Sequence, residues 1–195
     1  MNLEERDTNK RLFLAIKVKP SPEFSKTISL LKNNTQRDLI NWIHEDHYHI
    51  TLKFIGKTAV PRIEPMIKAF AHALKSSLAF ELNIEKTGVF GSRYSPKVLW
   101  FGLDNIQEVQ KLKKKIDNSL KPFGFKKDHQ NFIPHLTIAR IKKVKDIHFF
   151  QKLIASVEAK QIQHLEVEEV ILYESILRSK GAEYHIIERF LLQKP

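Results

Sequence analysis

Hydrophobic and polar residues follow two recurring patterns along the chain. Short apolar runs and every-second-residue patterns predict strands, whereas apolar residues spaced three and four apart predict helices. Strands are predicted at 12–18, 41–43, 49–55, 80–90, 98–103, 135–139, 167–177 and 184–192. Helices are predicted at 62–75, 109–120 and 149–157. Another helix opens at Ser21 and Pro22, which are typical first residues of a helix.

The two halves of the chain share one feature. A strand with the sequence His-x-Thr occurs once in each half, at His49 and at His135, and a helical segment follows each one. The strands are short, which favours antiparallel pairing. The sequence therefore predicts an α+β fold with two similar lobes, each an antiparallel sheet with flanking helices, facing across a central cleft. No linker or low-complexity stretch interrupts residues 1–195, so a single bilobal domain is expected.

Each His-x-Thr motif places two reactive side chains on one face of its strand. Side chains alternate between the two faces of a strand, so His49 emerges with Thr51, and His135 with Thr137. The apolar residues that alternate with them point into the core. Two such strands side by side would form a pocket with two imidazoles and two hydroxyls.

Such a pocket suits the opening of a cyclic phosphodiester. That reaction needs water deprotonated on one side of phosphorus and the leaving oxygen protonated on the other. Because an unperturbed histidine has a pKa of about 6.5, one neutral and one charged imidazole can fill both roles without a metal ion or another cofactor. The threonine hydroxyls and a nearby cation would bind the non-bridging oxygens. Arg140, which follows Thr137 closely, is the best-placed cation because its planar guanidinium matches phosphate.

The charge and composition of the chain narrow its partners. The sequence has 33 Lys and Arg against 22 Asp and Glu, a net charge of +11, and a field of this sign attracts polyanions. This favours a nucleic acid or nucleotide partner, although a basic surface can also serve solubility alone. Cysteine is absent, which excludes disulfides and thiolate metal sites. With no signal-like N-terminus and no apolar run of membrane-spanning length, a cytoplasmic monomer without membrane contact is expected.

Several other residues carry less specific signals. The segment from His44 to His49 is dense in possible zinc ligands, but a polar turn that leads into the strand is the simpler interpretation. Among the aromatic residues that flank the motifs, Phe13 or Phe132 is the candidate to stack on a base, and core packing is expected for the others. No glycine-rich phosphate loop is present, so ATP-driven ligation is not expected. The remaining histidines are interpreted as surface or packing residues: His72, His129, His148, His164 and His185.

The paired motifs resemble the signature of the 2H phosphoesterase superfamily, which is named for its two His-x-Thr/Ser-x motifs. The closer resemblance is to its bacterial and archaeal branch, the 2′-5′ RNA ligases or RNA 2′,3′-cyclic phosphodiesterases. The paired motifs are specific, and weaker segments in the expected order run along most of the chain. These segments are Arg11 to Ile16, Trp42, His49 to Gly56, Gly88 to Phe90, Leu99 and Trp100, Pro134 to Arg140, Leu172 to Ser175, and Leu177.

The resemblance implies a two-lobed α+β fold and hydrolysis of RNA 2′,3′-cyclic phosphate ends to 2′-phosphates without a cofactor. It also implies that His49 donates a proton to the leaving 3′-oxygen and that His135 accepts a proton from water. Joining RNA through 2′-5′ linkages would be the reverse reaction through the same acid and base. No specific motif of the family lies in the lysine-rich helix predicted at 109–120 or in the stretch from Lys57 to Leu99. The length and base preference of the RNA therefore stay open.

Two other functions are compatible with the sequence. The same site could act on a small cyclic nucleotide, which a comparison of a cyclic-ended oligonucleotide with a mononucleotide would distinguish. Alternatively, the protein could be a non-catalytic, basic RNA-binding module whose histidines only contact phosphate. A protein of that kind would show no turnover and would keep its salt-sensitive RNA affinity when both histidines are replaced.

Overall fold

A nine-stranded antiparallel sheet forms the centre of the protein in the computed structural model, which describes residues 8–126, 132–158, 161–179 and 181–194. The strands are β1 (Asn9–Lys17), β2 (Leu39–Trp42), β3 (His49–Ala59), β4 (Phe80–Ser92), β5 (Ser95–Leu103), β6 (Leu136–Lys143), β7 (Gln161–Val167), β8 (Glu169–Arg178) and β9 (Gly181–Leu191). Within these ranges the α-helices are α1 (Pro22–Asn34), α2 (Val60–Leu74), α3 (Ile106–Leu120) and α4 (Ile147–Glu158).

The sheet consists of two halves that meet at its centre. The strand order is β7-β4-β5-β6-β3-β1-β8-β9, and β2 also pairs with β6. The innermost strands are therefore β6 and β3, and each of them carries or directly follows a motif histidine. The predicted α+β class with antiparallel pairing is confirmed, while the two sheets expected from the sequence are halves of one continuous sheet.

The helices cover one face of the sheet and leave the other face open. Alternate residues of β1 belong to different hydrophobic clusters. Leu12 and Leu14 pack into the main core with the buried residues of the four helices, whereas Phe13 and Ala15 belong to a small cluster made by strands alone. The motif histidines, as shown below, lie on this open face. Helix α1 begins as predicted, because the Ser21 hydroxyl accepts a hydrogen bond from the third helical amide.

Irregular pairing in β3 changes the faces that its side chains occupy. Against β1, β3 contains two extra residues, as in β-bulges. The neighbours Leu52 and Lys53 consequently both lie on the helix-covered face, where the Lys53 ammonium is 3.3 Å from the Asp117 carboxylate of α3. Phe54 returns to the open face and is 68% exposed. The strand continues past Gly56, where the prediction ended it, because glycine accepts the positive φ of 84° found there.

Other boundaries differ modestly from those predicted. The pair β4 and β5 is joined by a tight hairpin at Arg93 and Tyr94, so both strands reach further than the predicted ranges 80–90 and 98–103. Strand β7 was not predicted. Lys180, expected at the turn before β9, lies outside the described residues. In the described ranges, none of the helices combines the length and the apolar composition that crossing a bilayer requires.

Candidate active site

The two His-x-Thr motifs meet where the halves of the sheet join. Strands β3 and β6 pair through Ile50 and Leu136, and both of these side chains are fully buried in the core. The histidine and threonine side chains of both motifs flank this pair on the opposite face, and all four are half-buried. The antiparallel register directs each histidine toward the threonine of the other motif. Two imidazoles and two hydroxyls thus line one patch of the open face.

The same hydrogen bond orients both imidazoles. Nδ1 of His49 lies 2.7 Å from the carbonyl oxygen of His47, and Nδ1 of His135 lies 2.7 Å from that of Ile133. A carbonyl oxygen only accepts hydrogen bonds, so Nδ1 carries the proton in both rings. Each Nε2 is therefore left for chemistry, as a base when the ring is neutral and as an acid when it is charged.

Aromatic rings pack against the imidazole of His49. The ring centre of Phe13 lies 5.1 Å away, and that of Tyr184 lies 5.3 Å away in an edge-to-face arrangement. Tyr184 also contacts the His47 ring at 4.8 Å and the Phe13 ring at 5.0 Å. These contacts from β1 and β9 fix the plane of the imidazole and shield its sides from water.

A separate aromatic pair packs against His135. The Phe90 ring meets it edge to face at 4.8 Å, and the Trp100 ring lies 6.2 Å from it. Trp100 reaches this position because Gly88 faces it across the β4–β5 pair: a Cβ at Gly88 would lie 2.1 Å from the indole Cζ2. The absence of a side chain at Gly88 therefore helps to position the aromatic ring beside this histidine.

Burial lowers the pKa of both motif histidines. Desolvation is the main cause for His49, whose pKa falls to about 4, and the hydrogen bond to the carbonyl of His47 opposes it. The charges of Lys17, His47 and His135 lower the pKa of His49 further. Burial also lowers the pKa of His135, against the effect of its own bond to Ile133. Because the His135 charge acts on His49, the two imidazoles share one electrostatic environment, and His49 is neutral near pH 7 in the free protein.

Arg140, the predicted phosphate-binding cation, lies close to this patch. It is exposed on β6, where it pairs with Val98 of β5 and Asn41 of β2. Burial raises the pKa of Tyr184, and the charges of Arg140 and Arg11 act in the opposite direction. Both guanidinium groups therefore lie near Tyr184, whose ring contacts His49.

The other candidates lie in different places. Phe13 is beside His49, but Phe132 lies 5.6 Å from the Lys113 ammonium of α3 and packs against the helix-side core. Of the two stacking candidates, the structure therefore brings only Phe13 to the histidines. His129 lies outside the described residues. The other histidines without a motif are exposed: His72, His148, His164 and His185.

The polar segment before β3 forms a short turn. Residues Glu45–His47 make a 3-10 helix, and the ring of His44, which precedes it, lies 3.3 Å from the Asp46 carboxylate. In the described parts of the chain, no three histidine or carboxylate side chains converge as a metal site would require. The segment's visible structural role is to supply the carbonyl of His47 that orients His49.

Two residues near the site received no role from the sequence. Lys17 pairs directly with His49 across β1 and β3, and strand alternation places it on the same face as Phe13. Strand alternation was therefore the signal in the sequence that could have assigned Lys17 to the site. Tyr184 arrives through the pairing of β9 with β8 and of β8 with β1, so no local pattern could indicate its contact with His49.

The chain resembles known proteins over most of its length. The family model of the 2′-5′ RNA ligase superfamily matches residues 20–176. An RNA 2′,3′-cyclic phosphodiesterase of Geobacillus stearothermophilus is 30% identical over 185 residues, which are 94% of this chain and 58% of that relative. The chain thus spans little more than half of that protein. An RNA 2′,3′-cyclic phosphodiesterase of Thermotoga maritima is 28% identical, and the match covers 91% of this chain and 92% of the relative.

Solved structures show a shared fold at lower identity. The structure of E. coli LigT without a ligand has a TM-score of 0.70 and 19% identity, and the match covers 95% of this chain and 98% of LigT. The complex of E. coli LigT with 3′-AMP has the same TM-score and identity, and covers 94% of this chain. This chain therefore shares its fold with LigT.

Proposed function

This chain belongs to the 2′-5′ RNA ligase superfamily, and we propose that it is an RNA 2′,3′-cyclic phosphodiesterase that opens cyclic phosphate ends to 2′-phosphates. The observation that supports this most directly is the pair of imidazoles on the open face, each held through Nδ1 by a backbone carbonyl. The relatives from Geobacillus and Thermotoga, named RNA 2′,3′-cyclic phosphodiesterases, support the same substrate class.

The proposed reaction uses His135 as the base and His49 as the acid. Neutral Nε2 of His135 accepts a proton from water, whose oxygen attacks phosphorus. As the bond between phosphorus and O3′ breaks, Nε2–H of His49 donates its proton to O3′. The product has a 2′-phosphate and a free 3′-hydroxyl, and proton exchange with solvent restores both imidazoles. Each transfer is expected to contribute about 10²–10⁴-fold to the rate.

Thr51, Thr137 and Arg140 would bind the phosphate. The two hydroxyls lie on the same face as the imidazoles and can donate hydrogen bonds to the non-bridging oxygens. Negative charge grows on these oxygens as water attacks, so fixed donors stabilise the transition state more than the bound substrate. Arg140 would add a planar cation at the edge of the same patch.

The lowered pKa of His49 is compatible with an acid that becomes charged when substrate binds. In the free protein, burial favours the neutral ring. A phosphodiester beside Nε2 brings a negative charge, which favours the imidazolium and raises the pKa. The proton needed for the leaving oxygen would therefore be taken up together with the substrate.

Ligation would follow from the same arrangement. A 5′-hydroxyl that takes the place of water would lose its proton to His135 and attack phosphorus. His49 would again protonate O3′, and the product would be a 2′-5′ linkage. Water is far more abundant, so hydrolysis is the expected main reaction.

Turnover of an oligonucleotide with a 2′,3′-cyclic end, with EDTA present, tests the function. We expect quantitative conversion to a 2′-phosphate end. A 3′-phosphate end would reverse the assignment of the leaving oxygen. Salt-sensitive RNA binding without any turnover would instead favour the non-catalytic RNA-binding module.

The pH dependence of kcat/KM provides a further prediction. Activity needs one histidine charged and the other neutral, so the profile is bell-shaped between the two free-protein pKa values. Burial lowers both of these pKa values. The maximum of kcat/KM is therefore expected below about pH 6.5, the unperturbed histidine pKa. Initial rates on a cyclic mononucleotide across the pH range would measure it, and a maximum above pH 7 would contradict the assignment.

A further inference from the structure

The two halves of the site differ at positions that the pairing makes equivalent. In the first half, Lys17 of β1 pairs with His49. In the second half, the register of β5 with β6 makes Gly102 the equivalent of Lys17. Likewise, the carbonyl that orients the histidine belongs to His47 in one half and to Ile133 in the other. The catalytic pair is thus symmetric, while the described residues make one rim cationic and polar and the other apolar.

The ammonium of Lys17 lies at the cationic rim. It donates a hydrogen bond to the backbone carbonyl of Asp46, in the turn before His49. Besides burial, the charge of Lys17 lowers the pKa of His47 and of His49, so the ammonium is near both rings. An ammonium has three donors. Within the described residues the ammonium donates to no other acceptor, which leaves two donors for a ligand.

The charge of Asp46 favours the ammonium form of Lys17, but neither nearby carboxylate forms a salt bridge with it in the described residues. The Asp46 carboxylate is 80% exposed and lies 3.3 Å from the ring of His44. Glu183, which acts on His47 electrostatically, contacts the guanidinium of Arg178 at 3.1 Å. In the described part of the molecule, neither carboxylate comes within salt-bridge distance of Lys17. The rim therefore keeps a positive charge next to the reacting centre.

We propose that Lys17, with His47 beside it, binds the internucleotide phosphate adjacent to the cyclic end, so that RNA ends are preferred over cyclic mononucleotides. This inference rests on the proposed function and specifies its substrate. Neighbouring strands lie about 4.8 Å apart, so Lys17 is one strand away from the acid of the reaction. In an RNA strand, the anion next to the reacting phosphate is the neighbouring internucleotide phosphate, so a cation at this rim suits that group. The apolar rim, where Ile133 is 53% exposed, has no equivalent cation among the residues that the structure describes, and it suits the sugar and base.

The Lys17→Gln variant tests this subsite when its kcat/KM is measured on two substrates. The substrates are a short oligonucleotide with a 2′,3′-cyclic end and a 2′,3′-cyclic mononucleotide. The ratio of their kcat/KM values is expected to fall about tenfold, mainly through a higher KM for the oligonucleotide, with a smaller salt dependence because one phosphate contact is lost. Lys17→Arg is expected to keep most of the ratio. The matched control is Lys114→Gln, which removes the same charge from the exposed side of α3 and should leave the ratio unchanged.

Other outcomes separate this inference from the proposed function. Equal losses of kcat/KM on both substrates would place Lys17 at the reacting phosphate, and unchanged kcat/KM values on both would remove the subsite; either result overturns the inference. If the natural sequence opens neither substrate, the proposed function fails. The subsite is then judged by the affinity of a phosphate-ended oligonucleotide: a loss in Lys17→Gln but not in Lys114→Gln supports it, and equal affinities overturn it.

Discussion

Replacing either motif histidine by alanine is expected to lower kcat for cyclic phosphate opening by about 10²–10⁴-fold. His49→Ala removes the proton donor to the leaving oxygen, and His135→Ala removes the base that activates water. The two imidazoles act in one concerted displacement, so the double variant should be hardly slower than the slower single variant. Single-turnover rates on a cyclic-ended oligonucleotide would measure these losses.

The control for this prediction is His148→Ala, which removes an exposed imidazole from α4. It should keep the full rate. Urea unfolding of each variant would show whether the sheet is intact, because both motif histidines are half-buried and contact aromatic rings. A rate equal to that of the natural sequence in His49→Ala or in His135→Ala would rule out the paired mechanism.

A substrate with sulfur in place of O3′ separates the two roles. A thiolate leaves without protonation far more readily than an alkoxide does, so it needs no acid. His49→Ala should therefore recover most of its rate on this substrate, whereas His135→Ala should stay slow because water still has to be activated. The opposite pattern would mean that His135 is the proton donor and His49 the proton acceptor.

The sequence could predict the contents of the site because the relevant patterns are local. Strand alternation is enough to place His49 with Thr51 and to bury the residues between and after them, and helical spacing located all four helices within a few residues. The capping pattern at Ser21 worked for the same reason, since it depends on contacts within one turn.

The assembly of the site could not be read in this way. The pair Ile50 and Leu136 joins strands that are far apart in the sequence, and no local pattern specifies that register. The bulges in β3 are set by its pairing with β1, and they move Lys53 to the face opposite the one that simple alternation predicts. Strand β7 is polar by composition and is stabilised by pairing with β4, so its own residues gave little signal.

The symmetry of the histidine pair means that the surrounding residues must determine how the substrate is oriented. Both imidazoles have the same tautomer, and burial lowers the pKa of both, so the pair alone does not determine which side of phosphorus is attacked. The substrate must be oriented by features in which the halves differ. On one side these are Lys17 and Tyr184, and on the other Phe90 and Trp100.

Gly88→Ala is expected to disturb the second of these sides strongly, although residue 88 belongs to neither motif. The new Cβ would overlap the indole of Trp100, with 2.1 Å to Cζ2, so the ring must move. Overpacking of this kind destabilises by about 1–3 kcal/mol. Moving the indole also removes a neighbour of the His135 ring, and a misplacement of about 1 Å at a reacting group can cost about 10²-fold in rate. Urea unfolding and kcat of the same preparation would measure both effects.

The double variant Gly88→Ala with Trp100→Leu shows whether the indole is the cause. If the overlap with the indole destabilises the protein, then adding the Gly88 substitution to Trp100→Leu should cost less than about 0.5 kcal/mol, because the two sites are coupled through that contact. An equal loss of stability in both backgrounds would mean that Gly88 matters for the β4 backbone itself. In that case the indole would not be the link between Gly88 and His135, and the rate loss of the single variant would need another origin.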